Sequence, residues 1–185
     1  IYYFANLRLP TEKAHGVQIM KRCEVRGLSG EVRLVVLFWF RTPQMKHVRD
    51  IFSYYGIQKT FRIHRLPSLD IFPIVRFLPI FDRPAFAVQY GTFLVSAACY
   101  GVLRRCWRGI VYTRDSRLAR LMLRFNKNVF LELHTIPKRD DQEAAQYVRG
   151  VIALTRQLKE MLVRDGIQEE KIIVAPDAAD LGAFE

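Results

Sequence analysis

The chain predicts a doubly wound, mostly parallel α/β sheet flanked by helices, on three observations. Seven short apolar runs alternate with amphipathic or helix-forming segments, and strands separated by helices join in parallel through crossovers. Several runs carry no polar face: residues 1–5 (Ile-Tyr-Tyr-Phe-Ala), and the stretch after Arg33 to residue 40, suit strands covered on both sides. Finally, 185 residues with 50% hydrophobic content can bury a full core, and only ten Gly and eight Pro argue against disorder. One domain over residues 1–185 is the natural reading.

Taken in order, residues 1–5 form the first strand, and a loop over residues 6–14 leads to a helix over residues 15–28. That helix buries Gly16, Ile19, Met20, Cys23 and Gly27, at three- and four-residue steps. Residues 33–40 are the second strand. Residues 46–55 form a short helix that ends at Gly56; residues 61–65 are a strand near a sheet edge. Residues 66–83 hold three prolines and set Phe72, Phe77, Leu78, Ile80 and Phe81 beside Arg76 and Arg83. Residues 84–103 then run twenty positions without a charge. That length would span a bilayer, but Gln89, Tyr90, Thr92 and Ser96 lower its hydropathy and strands continue on both sides, so a buried core helix is expected.

Beyond it the alternation is regular. Residues 110–113 and 129–133 are strands, with a basic helix over residues 115–125 between them, and residues 140–148 form a short helix. Residues 151–154 make the next strand. Thr155 is placed to cap the helix that follows, and Leu154, Leu158, Met161 and Leu162 line one face of it. Gly166 suits its left-handed end, and residues 171–174 are the last strand, stopped by Pro176.

The net charge of +11 is concentrated: residues 41–128 hold sixteen Lys and Arg against four Asp. Such a field points to a polyanionic partner, namely nucleic acid, an anionic membrane or a phosphorylated ligand. No recognised nucleic-acid motif accompanies it, which sets nucleic acid aside. Cys23, Cys99 and Cys106 form no CxxC pair, so buried free thiols are expected rather than disulfides or a metal site. No leader pattern opens the chain, and with free thiols this fits a cytoplasmic setting.

In an open parallel sheet, ligands meet the loops at the carboxyl ends of strands. Three such loops hold suitable residues. Ahead of the first helix, Gly16 would let an anion approach free backbone N–H groups, or would serve close helix packing. Alternation puts Glu132 and His134 on one side of their strand end, where both need partners. Arg114, after Tyr112-Thr113, offers a fork to phosphate or carboxylate, or lies on the surface. Thr113 or Asp115 would cap the next helix. No nucleophile elbow and no carboxylate pair appears.

The run Ala153-Leu154-Thr155, Leu158-Lys159, Leu162, Gly166-Ile167, Glu170-Lys171-Ile172-Ile173-Val174, Pro176-Asp177, Asp180 and Phe184 resembles the end of the N-terminal domain of glycosyltransferase family 4, with the GT-B fold. The family's usual tail is Pro-Asn-Gly-Val-Asp; here Asp177, Ala178 and Ala179 take its middle three places. His15-Gly16-Val17-Gln18-Ile19-Met20 also matches the family's pattern after the first strand. The resemblance spans the chain and is specific at residues 1–20, 110–135 and 151–185.

It implies a Rossmann-like, acceptor-side domain, with residues 176–185 beginning the linker to a C-terminal donor-binding domain outside this chain. It implies a retaining transfer, of hexosyl type, from a nucleotide-sugar donor to a sugar or lipid-linked acceptor. His134 would hydrogen-bond the donor sugar, with Glu132 as its neighbour in the cleft or its orienter, and the loop with His15 and Gly16 would line the donor and acceptor cleft. The family's paired glutamates and diphosphate clamp belong to the second domain, so this chain alone should be inactive. No cofactor and no metal are implied. Residues 66–108, with their aromatic and aliphatic side chains beside Arg76, Arg83, Arg104, Arg105 and Arg108, suggest docking on an anionic membrane at the inner, cytoplasmic face. The rival reading is a basic, non-enzymatic domain that binds nucleic acid or membrane.

Overall fold

The computed structural model describes residues 1–38, 45, 47–69, 71 and 82–176. Its strands are β1 (Tyr2–Ala5), β2 (Arg33–Leu37), β3 (Arg62–Leu66), β4 (Val111–Thr113), β5 (Val129–Leu133), β6 (Gly150–Ala153) and β7 (Ile172–Val174). They form an all-parallel sheet in the order β3-β2-β1-β4-β5-β6-β7. The order reverses direction at β1 and β4, the mark of a doubly wound sheet. The expected fold class is therefore the observed one. By packing, the chain divides into two compact units, Ile1–Val111 and Tyr112–Glu185.

In the first unit, Tyr3 and Phe4 of β1 and Leu34, Val35 and Val36 of β2 are wholly enclosed. Covering on both faces explains why these runs lack polar alternation. Helix α1 (Ala14–Ser29) buries Gly16, Ile19, Met20 and Cys23. Gly27 is needed for close approach, since a Cβ there would lie 2.6 Å from the Thr60 carbonyl oxygen. Helix α2 (Ile51–Tyr54) begins later than residue 46. The Asp50 carboxylate accepts from the N–H groups of Phe52 (3.1 Å) and Ser53 (3.3 Å), which fixes the first turn there. Strand β3 stands at the sheet edge, as expected. Residues 72–81, with the expected membrane-facing Phe72, Arg76, Phe77, Leu78, Ile80 and Phe81, lie outside the described residues, as do residues 39–40 of the expected second strand and all but Pro176 of the expected linker at residues 176–185.

Helix α3 (Asp82–Leu103) corrects an expectation. A buried core helix was expected over residues 84–103, yet only 28% of its apolar window is buried. Ala85, Gln89, Phe93 and Ala97, four residues apart, make one inward row. Tyr100 extends it, its ring edge-on to Tyr2, Phe4 and His64. Beside this row Thr92 Oγ1 accepts from the Leu69 N–H (3.0 Å) and Ser96 Oγ donates to the Pro67 carbonyl (2.6 Å), while Phe86, Val88, Val95, Val102 and Leu103 are exposed. Cys99 is exposed on this helix, whereas Cys23 and Cys106 are the buried thiols expected. Burial pushes the Cys106 thiol up to about 11.

The second unit matches the sequence closely. Helices α4 (Ser116–Met122), α5 (Arg139–Tyr147) and α6 (Arg156–Arg164) accompany β4 to β7. Strand β5 has the expected bounds. The Leu158 N–H donates to Thr155 Oγ1 at 3.1 Å, the expected cap. Gly166 has φ +85° and the Ile167 N–H returns to the Leu162 carbonyl at 3.0 Å, a left-handed helix end. Leu158 and Leu162 face inward and Arg164 outward.

Candidate functional site

The second unit gathers three of the candidate residues at the carboxyl ends of β4 and β5. Within β5, Leu131 and Leu133 point into one layer and Glu132 into the other, and all three are buried. A carboxylate at 1% exposure must be matched by donors. Three groups supply them: the Tyr112 hydroxyl donates to Oε2, the Arg114 guanidinium lies with Nη2 3.0 Å from Oε1, and His134 Nε2 meets Oε1.

Local structure explains how each partner arrives. Tyr112 and Arg114 are two apart, so strand alternation sends both to one side. After β4, Thr113 Oγ1 accepts from the Asp115 N–H (3.1 Å) and Asp115 Oδ1 accepts from the Leu118 N–H (2.9 Å), starting α4. Asp115 is thus the cap, and this turn holds Arg114 at the strand end. His134 follows β5 directly, two residues beyond Glu132.

Exposure grades outward. The Glu132 side chain is sealed, while those of Arg114 and His134 are 17% and 23% exposed. The Arg114 Nη2–Oε1 contact is an ion pair without hydrogen-bond alignment, and Arg114 Nε is buried with no hydrogen-bond partner among the described residues. Arg114 therefore binds a carboxylate within its own chain instead of lying on the surface. Glu132, as the anion of that pair, only accepts, so the His134 contact requires the proton on Nε2. A neutral ring then keeps Nδ1 as its acceptor. The result is an anchored carboxylate presenting two basic side chains to solvent.

His15 and Gly16 belong to the first unit. His15 is exposed and Gly16 buried. A Cβ on Gly16 would lie 2.4 Å from Thr11 Cγ2 and 3.0 Å from the Tyr55 hydroxyl. Close packing against the loop therefore requires glycine here. Tyr55 makes that packing firm: its hydroxyl accepts from the Thr11 N–H (2.8 Å) and donates to the Thr11 carbonyl (2.7 Å). Burial pushes the phenol up to about 12. Gly16→Ala is expected to lower stability by about 1–3 kcal/mol, seen as a lower midpoint in urea unfolding. An unchanged midpoint would mean that the Thr11 loop yields without cost.

Sequence reasoning missed Tyr112 and Tyr55. Tyr112 was within reach, because it has the same i, i+2 relation to Arg114 as Glu132 has to His134. Tyr55 gave no signal, being 44 residues from Thr11. A groove of about 870 Å³ elsewhere in the second unit is lined by Arg117, Arg120, Arg124, Lys127, Asp140 and Tyr147. It excludes the Glu132 cluster. Arg117 and Arg120 are paired there with Asp140 and Glu143, at 2.8 and 2.7 Å.

The fold is that of a Rossmann-like α/β protein with basic side chains at its strand ends. It is shared with crystal structures of HepE (Alr3699) from Anabaena. The complex with UDP superposes with a TM-score of 0.55 at 10% identity, covering 99% of this chain and 45% of that one. The complex with UDP and glucose gives a TM-score of 0.52, and that with UDP-glucose 0.55, each at 10% identity over 98% of this chain. This chain thus spans less than half the length of HepE. No protein-family model matches the chain, and no curated protein matches it in sequence at a significant level.

Proposed function

We propose that this chain is the N-terminal, acceptor-side domain of a retaining glycosyltransferase of family 4 type. The observation that carries the reading is the Glu132 cluster, set at strand ends in a fold shared with a protein crystallised with UDP-glucose. The donor is a nucleotide sugar and the acceptor a sugar or a lipid-linked sugar. A second domain, joined through residues 176–185, supplies the diphosphate clamp. The enzyme works in the cytoplasm, at the inner face of the membrane.

In this reading His134 hydrogen-bonds the donor sugar through the ring edge turned away from Glu132. Arg114, its charge balanced by Glu132, keeps N–H donors for a phosphate or hydroxyl oxygen. The loop carrying His15 and leading to Gly16 lines the cleft for donor and acceptor. Departure of a nucleoside diphosphate develops negative charge, and fixed donors that need no rearrangement favour that charge most.

The test is transfer from UDP-glucose by a two-domain protein, with product configuration read by NMR. Retention is expected, with the 185-residue chain alone slower by about a hundredfold or more, since the clamp is missing. Inversion, or comparable transfer by the single chain, overturns the proposal.

A further inference from the structure

We infer that the outward face of α3 is a membrane-docking surface that lies flat on anionic lipid. Val88, Val95 and Val102 are seven residues apart, two helical turns each, and so form one line about 21 Å long. They are 40%, 65% and 45% exposed. Gly91 lies between them, and a Cβ there would meet nothing within 4 Å. The line continues into Leu103 and Trp107, which are 80% and 41% exposed. With Ala85, Gln89, Phe93 and Ala97 turned inward, Thr92 and Ser96 bonded to Leu69 and Pro67, and no charge from residue 84 to 103, the valine line leaves an apolar face that water solvates poorly.

The charges at its ends identify the occupant. Arg83 precedes the uncharged stretch, and Arg104, Arg105 and Arg108 follow it, all exposed. No Asp or Glu occurs from Arg83 to Arg114. Two copies packed antiparallel through the valine line would set Arg83 of one against Arg104, Arg105 and Arg108 of the other, with Asp82, next to Arg83 in the chain, as the acid at each end, too little to offset four arginines. Nucleic acid would meet the arginines but leave the valines unserved. An anionic bilayer satisfies both: phosphate headgroups take the arginines, while valine, leucine and tryptophan enter the boundary beneath them. The inward row and the Tyr100 ring contacts stay in place, so the helix lies on the bilayer and does not cross it. The inference rests on the proposed function only for its purpose, bringing a lipid-linked acceptor to the enzyme. The surface itself is read from α3.

The test is co-sedimentation of the 185-residue chain with vesicles, without any sugar nucleotide. One set is phosphatidylcholine alone, the other contains about one third phosphatidylglycerol. Binding is expected to the anionic vesicles, at least about tenfold tighter than to the neutral ones, and to weaken as salt is raised to about 0.5 M. Arg104→Gln with Arg108→Gln should weaken it about fivefold for each arginine removed. Val95→Asp should abolish binding while leaving the circular dichroism spectrum unchanged, because position 95 touches little of the protein. Binding indifferent to lipid charge, or unaffected by Val95→Asp, overturns the inference. So does a dimer that Val95→Asp dissociates, in a chain that ignores vesicles. Failure here leaves the sugar-transfer test untouched, and failure of that test leaves vesicle binding standing.

Discussion

Replacing Glu132 by Ala is expected to destabilise the protein by about 3–5 kcal/mol, the cost of leaving a buried cation without its partner. The residue is 1% exposed, and Tyr112, Arg114 and His134 all meet its carboxylate. Removing the carboxylate strands the Arg114 guanidinium, whose side chain is 17% exposed, and takes the Glu132 acceptor from the Tyr112 hydroxyl, whose residue is 3% exposed. Each loss carries a desolvation cost that the pair now offsets. His134, further out, regains water and adds little. Glu132→Gln keeps the shape and one acceptor oxygen, so its loss should be smaller, about 1–3 kcal/mol.

The measurement is urea unfolding followed by circular dichroism, with free energies from the midpoint and slope. A double-mutant cycle isolates the pair. If Arg114 and Glu132 depend on each other, Arg114→Ala in the Glu132→Ala background should cost little, or even restore stability, because no unpaired buried charge remains. Additive losses would mean that the two side chains contribute separately, and the cluster would lose its standing as one unit.

Much of this was legible in the sequence where the physics is local. Strand β5 is an apolar run closed by polar residues, so its bounds follow from the pattern alone. Thr155 and Gly166 act on groups within four residues of themselves, and both were found at their expected tasks. Alternation was enough to put Glu132 beside His134. The Arg114–Glu132 pair is different, because it depends on where β4 and β5 sit in the sheet. The Tyr112 hydroxyl was missed for the same reason, although its spacing from Arg114 was a usable sign. The Tyr55–Thr11 clamp joins segments that nothing in the chain marks as neighbours. Helix α3 shows a further limit: an uncharged run reads the same whether one row is buried or all of it. Only packing revealed that Val88, Val95, Cys99 and Val102 look outward. Asp50 was decisive for α2 because its carboxylate starts the helix one residue later, at Ile51, whereas an apolar pattern alone began it too early.

His134→Ala is expected to lower kcat of the two-domain enzyme by about tenfold or more while leaving the fold intact, the loss of one hydrogen bond that matters chiefly in the transition state. The geometry states why the effect falls on turnover. Glu132 accepts from Nε2 and thereby fixes both the orientation and the tautomer of the ring. With that proton on Nε2, Nδ1 is the ring atom turned away from Glu132 toward a sugar hydroxyl. At 23% exposure the side chain adds little to the core, so the thermal midpoint should hardly move. Glu132→Gln probes the same point from the other partner, since an amide brings N–H donors against the ring and no longer imposes one tautomer. It should lower kcat several-fold with the imidazole still in place, an effect measured at a temperature where the variant is fully folded. Steady-state kinetics with UDP-glucose separates kcat from KM, and differential scanning calorimetry supplies the midpoint. Unchanged turnover with a lowered midpoint would make His134 a structural residue only, and the site would have to be sought around Arg114 instead.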